Sequence, residues 1–95
     1  MMTSQEIEQK VKEIISKKFG AELDKINAET RLVEDLHVDS FGAVELMFEL
    51  EEAFGLSIQD SDIQRVRCVK DIVNYLTEWL EKKANEGRSK TGPGE

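Results

Sequence analysis

Apolar residues recur at helical spacing from the first turn of the chain. Ile7, Val11, Ile14, Ile15 and Phe19 fall on one stripe of a helix, three or four residues apart. Thr3 and Glu6 stand at the spacing of a capping box, and Gly20 suits the end of the helix. The pattern therefore predicts a first amphipathic helix between Thr3 and Gly20.

Three further helices are predicted after a long connection over residues 20–39. The second helix is predicted to begin at Ser40, with Asp39 as its N-cap, and to end at Phe54 before Gly55. A short third helix is expected near Asp60–Arg65. The fourth is predicted from Val69 to about Ala84, with its apolar stripe formed by Val69, Ile72, Val73, Leu76, Trp79 and Leu80.

The predicted fold class is all-α, a small four-helix bundle with a short third helix and a long loop between helices one and two. We expect apolar residues of that loop to anchor it to the core, namely Leu23, Ile26, Leu32, Val33 and Leu36. A connection of this length in a small domain is usually functional. Residues 1–86 are predicted to form one helical domain, and residues 87–95 a disordered tail rich in glycine and polar residues.

The second helix has two apolar faces, whereas packing in a bundle needs only one. The predicted core stripe comprises Ala43, Leu46, Met47, Leu50, Ala53 and Phe54. A second set, Phe41, Val44 and Phe48, alternates with Glu45, Glu49 and Glu52. In one interpretation, Phe41 and Phe48 pack beneath the long loop. In the other, which we favour, they are apolar anchors of a docking surface with a charged rim.

Negative charge is concentrated around this helix. The chain carries a net charge of −7, yet the stretch from Leu32 to Gln64 contains no Lys or Arg and nine carboxylates: Glu34, Asp35, Asp39, Glu45, Glu49, Glu51, Glu52, Asp60 and Asp62. The rest of the chain therefore nets +2. Such a surface selects a basic protein partner and argues against nucleic acid, whose phosphates require clustered Lys and Arg.

Composition excludes several other classes of protein. No apolar run is long enough to span a membrane, and the N-terminus lacks the basic and apolar regions of a secretory signal. The single cysteine, Cys68, cannot form an internal disulfide, and no Cys/His cluster suggests a metal site. We therefore expect a monomeric cytoplasmic protein with no bound metal, in which Cys68 is a cap or a partly buried thiol.

Ser40 is the candidate for chemistry, because it lies between the acidic loop and the start of a helix. By composition alone it is simply the first residue of that helix. A catalytic role has little support, since the single histidine, His37, stands three residues away without any sign of a triad. A covalently attached phosphate would suit the site, because free N–H groups and the helix dipole favour an anion.

The sequence around Ser40 resembles the acyl carrier proteins. The resemblance is carried by Leu-Val-Glu-Asp-Leu-His-Val-Asp-Ser (32–40), Val-Glu-Leu (44–46) and Leu-Glu-Glu-Ala-Phe (50–54), and it extends from Ile7 to Leu76. It implies that Ser40, preceded by Asp39, carries 4′-phosphopantetheine transferred from coenzyme A by a phosphopantetheinyl transferase, the holo-synthase. It further implies that acyl groups are held as thioesters for synthases and other acyl-processing enzymes, with no catalysis by the chain itself.

The resemblance also assigns two groups of contact residues. Glu45, Glu51 and Glu52 match acids that contact basic patches of partner enzymes, and Val44 and Phe48 match the apolar contact positions between those acids. We add further residues of the same surface, namely Asp35, Phe41, Glu49, Asp60 and Asp62. Leu32, Leu46, Leu50, Ile58, Val66 and Val69 match positions that line an acyl-chain cavity, and we add Met47 from the core stripe.

Some residues depart from the family pattern. Phe41 stands where Leu is usual, Gly42 where an acid is common, His37 in place of Gly, and Gln59 in place of Pro. Ser-Phe-Gly-x-Val-Glu-Leu (40–46) also resembles the D-alanyl carrier proteins, whereas Arg-Val-Arg-Cys-Val (65–69) resembles the fatty-acid type. Three hypotheses follow: a covalent carrier for fatty-acid or related synthesis or for D-alanyl or other aminoacyl groups, a non-covalent helical adaptor, and, remotely, a small serine hydrolase.

Overall fold

The structure, a computed structural model, describes the backbone of residues 3–89 and the side chains of residues 3–82. Within that range the chain forms α1 (Ser4–Phe19), a 3₁₀ turn (Leu23–Lys25), α2 (Ser40–Phe54), α3 (Asp60–Ile63) and α4 (Val69–Ser89). The described part has no β-strand, only an isolated antiparallel bridge between Arg31 and Cys68. The predicted all-α bundle with a short third helix is confirmed.

The ends of α1 are set by local hydrogen bonds. The Thr3 hydroxyl accepts from the backbone N–H of Glu6 at 3.1 Å, and the Glu6 carboxylate accepts from the Thr3 N–H at 2.8 Å. Gly20 adopts a left-handed conformation with φ of 73°, which ends the helix. The predicted capping box and stop signal are both present.

The last two helices differ in length from their predicted spans. α3 ends at Ile63 rather than Arg65, because Arg65 and Val66 donate to carbonyls three residues back and continue the chain as a tight turn. α4 extends to Ser89, beyond the predicted end at Ala84, and so includes the first residues of the predicted tail. A single glycine inside a helix costs only about 1 kcal/mol, so Gly87 does not end α4. Residues 90–95 lie outside the described residues.

The core lies where α1, α2 and α4 meet, with α1 packed against both of the other helices. It is entirely aliphatic apart from one methionine, and the connections on either side of α2 contribute residues to it. Its buried members are Ile7, Val11, Ile15, Ile26, Leu32, Val38, Leu46, Met47, Leu50, Leu56, Ile58, Val69, Ile72, Val73 and Leu76. In the described range, no helix is both long enough and apolar enough to cross a bilayer.

The long loop is anchored by fewer residues than predicted. Ile26 and Leu32 are buried and Leu36 is partly buried, but Leu23 and Val33 are 40% and 62% exposed. Residues 31–37 coil into successive turns, in which Asp35 and Leu36 donate to the Arg31 carbonyl and His37 donates to that of Val33. This coil places Leu32 and Leu36 on its inner side and Val33 on its outer side. The sequence missed Val38, which is 5% exposed.

Backbone hydrogen bonds tie this loop to the connection between α3 and α4. Leu32 donates to the Arg67 carbonyl at 2.9 Å, Val69 donates to that of Thr30 at 3.0 Å, and Lys70 donates to that of Ala28 at 2.8 Å. His37 has a φ of 59°, the only positive value among the described non-glycine residues. Glycine adopts this left-handed conformation most readily, so a histidine holds it at some cost in strain. The loop thus holds a defined path into Ser40.

Candidate functional site

Ser40 is the exposed first residue of α2. The Asp39 carboxylate caps the helix by accepting from the backbone N–H of Gly42 at 2.7 Å. Within the described side chains, the Ser40 hydroxyl has no hydrogen-bond partner. A free hydroxyl at a helix N-terminus fits a phosphate ester, since unsatisfied N–H groups and the helix dipole stabilise the anion.

His37 gives Ser40 no catalytic support. A serine nucleophile needs a base within hydrogen-bond reach. The two side chains make no hydrogen bond with each other in the described part of the chain, and both are exposed. The geometry therefore gives Ser40 an exposed hydroxyl that another enzyme can reach, with no hydrogen-bonded base among the described side chains to activate it.

Gly42 sets how closely α1 approaches the site. A Cβ at Gly42 would lie 3.1 Å from Cε1 of Phe19 and 3.2 Å from Oδ1 of Asp39, which is the capping oxygen. Phe19, the last residue of α1, thus occupies the space that a side chain would need. A side chain at position 42 would have to displace this ring, because the end of α1 packs directly against the first turn of α2.

The second apolar face of α2 is exposed. Phe41, Val44 and Phe48 are 70%, 41% and 58% exposed. The alternative in which Phe41 and Phe48 pack beneath the long loop is therefore wrong. On the opposite face, Leu46, Met47 and Leu50 are buried as predicted, and Ala43 and Phe54 are partly buried.

Ala53 is an error in the predicted core stripe, because it is exposed and lines a groove between α1 and α2. Residues of α1 line the other side of this groove, among them Lys10, Ile14 and Lys17. Gly42 is buried instead, although its lack of a side chain kept it out of the predicted stripe.

Two of the predicted partner-binding acids are paired within the fold. The Lys18 ammonium group, from the last turn of α1, lies 3.2 Å from a Glu45 oxygen and 4.0 Å from a Glu49 oxygen. The stretch from Leu32 to Gln64 contains no basic residue, so the sequence suggested uncompensated acids. Helix packing supplies the counter-charge from outside the stretch.

Three more of the predicted partner-binding acids hold local structure together. Glu51 accepts from the backbone N–H of Ile58 at 2.7 Å, and Asp62 accepts from the Tyr75 hydroxyl at 2.8 Å. Asp35 accepts from the Arg31 N–H at 2.8 Å, and this bond, with the nearby guanidinium, lowers the pKa of Asp35. Sequence reasoning missed these roles because each depends on a folded turn or a distant residue.

Glu52 and Asp60 remain exposed, and neither has an intramolecular ion pair or side-chain hydrogen bond within the described residues. They are therefore the predicted partner-binding acids that retain full freedom to meet a basic residue of another protein. Among these described residues, no group of three or more His, Cys, Asp and Glu side chains is placed to hold a metal ion.

A small apolar cavity lies between α2, α3 and α4. Of the predicted lining residues, Leu50, Ile58 and Val66 surround it, together with Asp62, Ile63, Ile72, Tyr75 and Leu76. Its volume of ≈ 10 Å³ is about what a single water molecule needs and is far too small for an acyl chain. The cavity is thus closed as the protein stands, and an acyl chain would have to part its walls.

The other residues predicted to line an acyl-chain cavity, Leu32, Leu46, Met47 and Val69, do not line this small cavity, and their role toward an acyl chain stays a prediction. They are buried elsewhere in the core; Leu46 and Val69 are 1% and 0% exposed. From α4, Ile72, Tyr75 and Leu76 line the cavity instead.

Tyr75 lies at the cavity wall, and its ionisation at alkaline pH is expected to lower the free energy of unfolding. Burial, reinforced by the hydrogen bond to the Asp62 carboxylate, raises the pKa of Tyr75 to about 12 from 10.0. The folded state therefore holds the phenol proton more tightly than the unfolded state. This contribution is complete below pH 10 and is lost as pH rises from about 10 to about 12, by about 1–2 kcal/mol because the ring is partly exposed.

We expect Tyr75→Phe to lower the free energy of unfolding by about 1 kcal/mol near neutral pH, because the hydrogen bond to Asp62 is lost. The variant should also lack the part of the alkaline loss of stability that comes from ionisation of the phenol. Urea unfolding of both proteins at about pH 8 and about pH 11 checks it, since lysine titration is common to both and cancels. Parallel pH profiles for the two proteins would contradict the assignment.

Cys68 precedes α4 as a partly buried, unbridged thiol, as predicted. The cap at this end is supplied by Asp71 instead, whose carboxylate accepts from the N–H groups of Arg67 and Cys68 at 2.9 and 3.2 Å. These bonds lower the pKa of Asp71 and keep it charged.

Comparison with known proteins identifies the family. Residues 9–76 match the family described as "Phosphopantetheine attachment site". An acyl carrier protein of Thermotoga maritima is 38% identical over 80 residues, which are 84% of this chain and 99% of that protein. One from Rickettsia bellii is 40% identical over 72 residues, 76% of this chain and 84% of that protein.

A solved structure of acyl carrier protein from Enterococcus faecalis is 36% identical and superposes with a TM-score of 0.70, covering 81% of this chain and 98% of that one. The matched range 9–76 includes Asp39, Ser40 and all of α2. The chain belongs to the acyl carrier protein family, whose covalently attached 4′-phosphopantetheine bears the acyl group.

Proposed function

We propose that Ser40 is the attachment site of 4′-phosphopantetheine. The observation that carries this proposal is a free, exposed hydroxyl on the first residue of α2, beside exposed aromatic and acidic side chains. When attached, the group supplies a terminal thiol that holds the acyl chain as a thioester. The fold supplies the position: Asp39 caps α2, and the packing of Phe19 on Gly42 supports its first turn.

The proposed route to partner enzymes is a docking surface, which we define as Phe41, Val44 and Phe48 with Glu45, Glu49 and Glu52. The apolar side chains are exposed, so they can bury area in a partner's groove, and the acids can meet Lys and Arg around it. Suitable partners are a phosphopantetheinyl transferase and acyl-processing enzymes with basic patches. Asp35, Glu51, Asp60 and Asp62 would contribute at the margins.

The pathway we propose is fatty-acid or related lipid synthesis in the cytoplasm, with the chain acting as a monomeric carrier and no catalysis of its own. The relatives named above support an acyl cargo over the D-alanyl alternative.

Loading of the apo-protein tests the attachment directly. Incubation with a phosphopantetheinyl transferase and coenzyme A is expected to add the mass of one phosphopantetheine group, and peptide mapping is expected to place it on Ser40. A non-covalent adaptor would gain no mass under the same conditions. That result would overturn the proposal.

Reversing a free acid tests the docking surface. We expect Glu52→Lys to lower kcat/KM for loading on the order of tenfold at low salt, because charged rims chiefly affect association rate. The deficit should shrink above about 0.1 M salt, where the Debye length is about 10 Å. Loading kinetics at two salt concentrations provide the measurement.

Glu78→Lys is the matched control, since it makes the same charge change at an exposed position of α4. It should leave the rate nearly unchanged. Equal losses in the two variants would mean that only net charge matters and that α2 has no special role.

A further inference from the structure

Lys18 holds a position that no other described lysine has. Its ammonium group reaches across from α1 to α2, 3.2 Å from Glu45 and 4.0 Å from Glu49, and its side chain is only 24% exposed. Lys10 and Lys17 line the same groove between the two helices, but neither forms an ion pair within the described residues. Lys18 is thus bound to the docking surface.

Several features of the chain place Lys18 there. It lies in the last turn of α1, where a cation is favoured by the helix dipole. The next residue, Phe19, packs against Gly42 and so fixes this end of α1 beside α2. Glu45 and Glu49 are four residues apart and therefore share one face of α2, within reach of a single ammonium group.

The bound cation has two consequences. In the free protein it offsets repulsion between Glu45 and Glu49. A Lys or Arg of a partner seeking these carboxylates meets a site that already holds a cation of the same kind. The carboxylates are 42% and 52% exposed, so a partner can reach them without opening the core.

We propose that Lys18 is a built-in competitor for the basic residues of partner enzymes. Docking exchanges one cation for another at Glu45 and Glu49: the partner's Lys or Arg enters, and Lys18 swings out to water. This inference rests on the proposed docking function of α2. The exchange weakens docking and favours rapid release, which suits a carrier that must visit several enzymes in turn.

The expected size of the effect follows from the nature of the pair. Exposed ion pairs are weak, so freeing the two carboxylates should strengthen docking about two- to fivefold. The gain should be greatest at low salt. Salt screens both the ion pair of Lys18 with these carboxylates and the ion pair that the partner's basic residue makes with them.

The test is Lys18→Met, which keeps an apolar stem of similar length and removes the charge. We expect it to raise kcat/KM for loading by a phosphopantetheinyl transferase two- to fivefold at low salt. Lys17→Met is the matched control: it removes the same charge from the adjacent residue of the same helix without freeing a carboxylate. It should change the rate less than Lys18→Met.

Binding without chemistry gives a second readout. In proteins that also carry Ser40→Ala, titration of the same transferase by calorimetry should give a two- to fivefold lower Kd for Lys18→Met. Glu45→Gln should then weaken binding more in the Lys18→Met protein than in the protein that retains Lys18, since the freed carboxylate carries more of the contact. Circular dichroism and melting curves establish that each variant is folded.

The proposal that Lys18 competes with the partner's basic residues would be overturned by either of two results. One is an equal change in loading rate for Lys18→Met and Lys17→Met, and the other is weaker docking of the Lys18→Met protein. A different result would refute the proposed attachment of phosphopantetheine to Ser40, namely no mass gain on the wild-type chain. A protein that is loaded on Ser40 but indifferent to Lys18→Met would therefore refute this inference alone.

Discussion

Ser40→Ala is expected to abolish the phosphopantetheine mass gain completely while changing the free energy of unfolding by less than about 1 kcal/mol. The loss is complete because the hydroxyl oxygen is the atom that forms the ester. The fold is spared because this hydroxyl is exposed and has no hydrogen-bond partner among the described residues, and Asp39 still caps α2 through Gly42. Intact mass and urea unfolding measure the two quantities.

Ser57→Ala is the control, because Ser57 is an exposed serine at the other end of α2. This variant should be loaded as fast as the wild type. A mass gain that persists in Ser40→Ala, or an arm mapped to a different serine or threonine, would contradict the assignment of Ser40.

An acyl chain on the arm is expected to stabilise the protein. We predict that an acyl form with about six methylenes is about 2 kcal/mol more stable than the unacylated holo form, which raises Tm by roughly 8–16 °C in a domain of this size. Burial of each methylene contributes about 0.8 kcal/mol, and opening the closed cavity between α2, α3 and α4 offsets part of the sum. The walls can part because Ile63 and Val66 are only partly buried.

Val66→Phe should remove most of this difference, because the larger side chain competes for the same space. Val33→Phe is the matched control, since Val33 is 62% exposed on the loop and does not line the cavity. Melting curves of the holo and acyl forms of all three proteins decide the question. Equal Tm values for the two wild-type forms would mean that the chain stays outside, with Phe41, exposed beside Ser40, as the nearest apolar shelter.

The sequence alone was sufficient to predict where α1 and α2 begin and end. Each helix end is set by side chains or glycines within a few residues of it. The N-terminal ends are capped by Thr3 with Glu6 and by Asp39, and the C-terminal ends stop at the left-handed glycines Gly20 and Gly55. Such signals depend on local backbone geometry, so they can be read without knowing the fold. The Asp-Ser pair in its acidic setting likewise marked Ser40 as the candidate, because a helix start and its cap are local features.

Some expectations failed where the answer depended on what covers a residue. Periodicity placed Phe41 and Phe48 on one face of α2 but did not say whether the loop covers that face, and it is exposed. Val33 was expected inside, yet the coil of the loop turns it outward. Periodicity gives the direction of a side chain relative to its own helix, whereas burial depends on the placement of other elements.

Only the tertiary structure decided which charges are free. Lys18 meets Glu45 and Glu49 because α1 packs beside α2, and the Tyr75 hydroxyl reaches Asp62 because α4 packs beside α3. Residues far apart in sequence were brought within hydrogen-bonding distance. A count of charges along the chain determined that the region around α2 is acidic, but Coulomb energy depends on distances between side chains, and those distances exist only once the helices are packed.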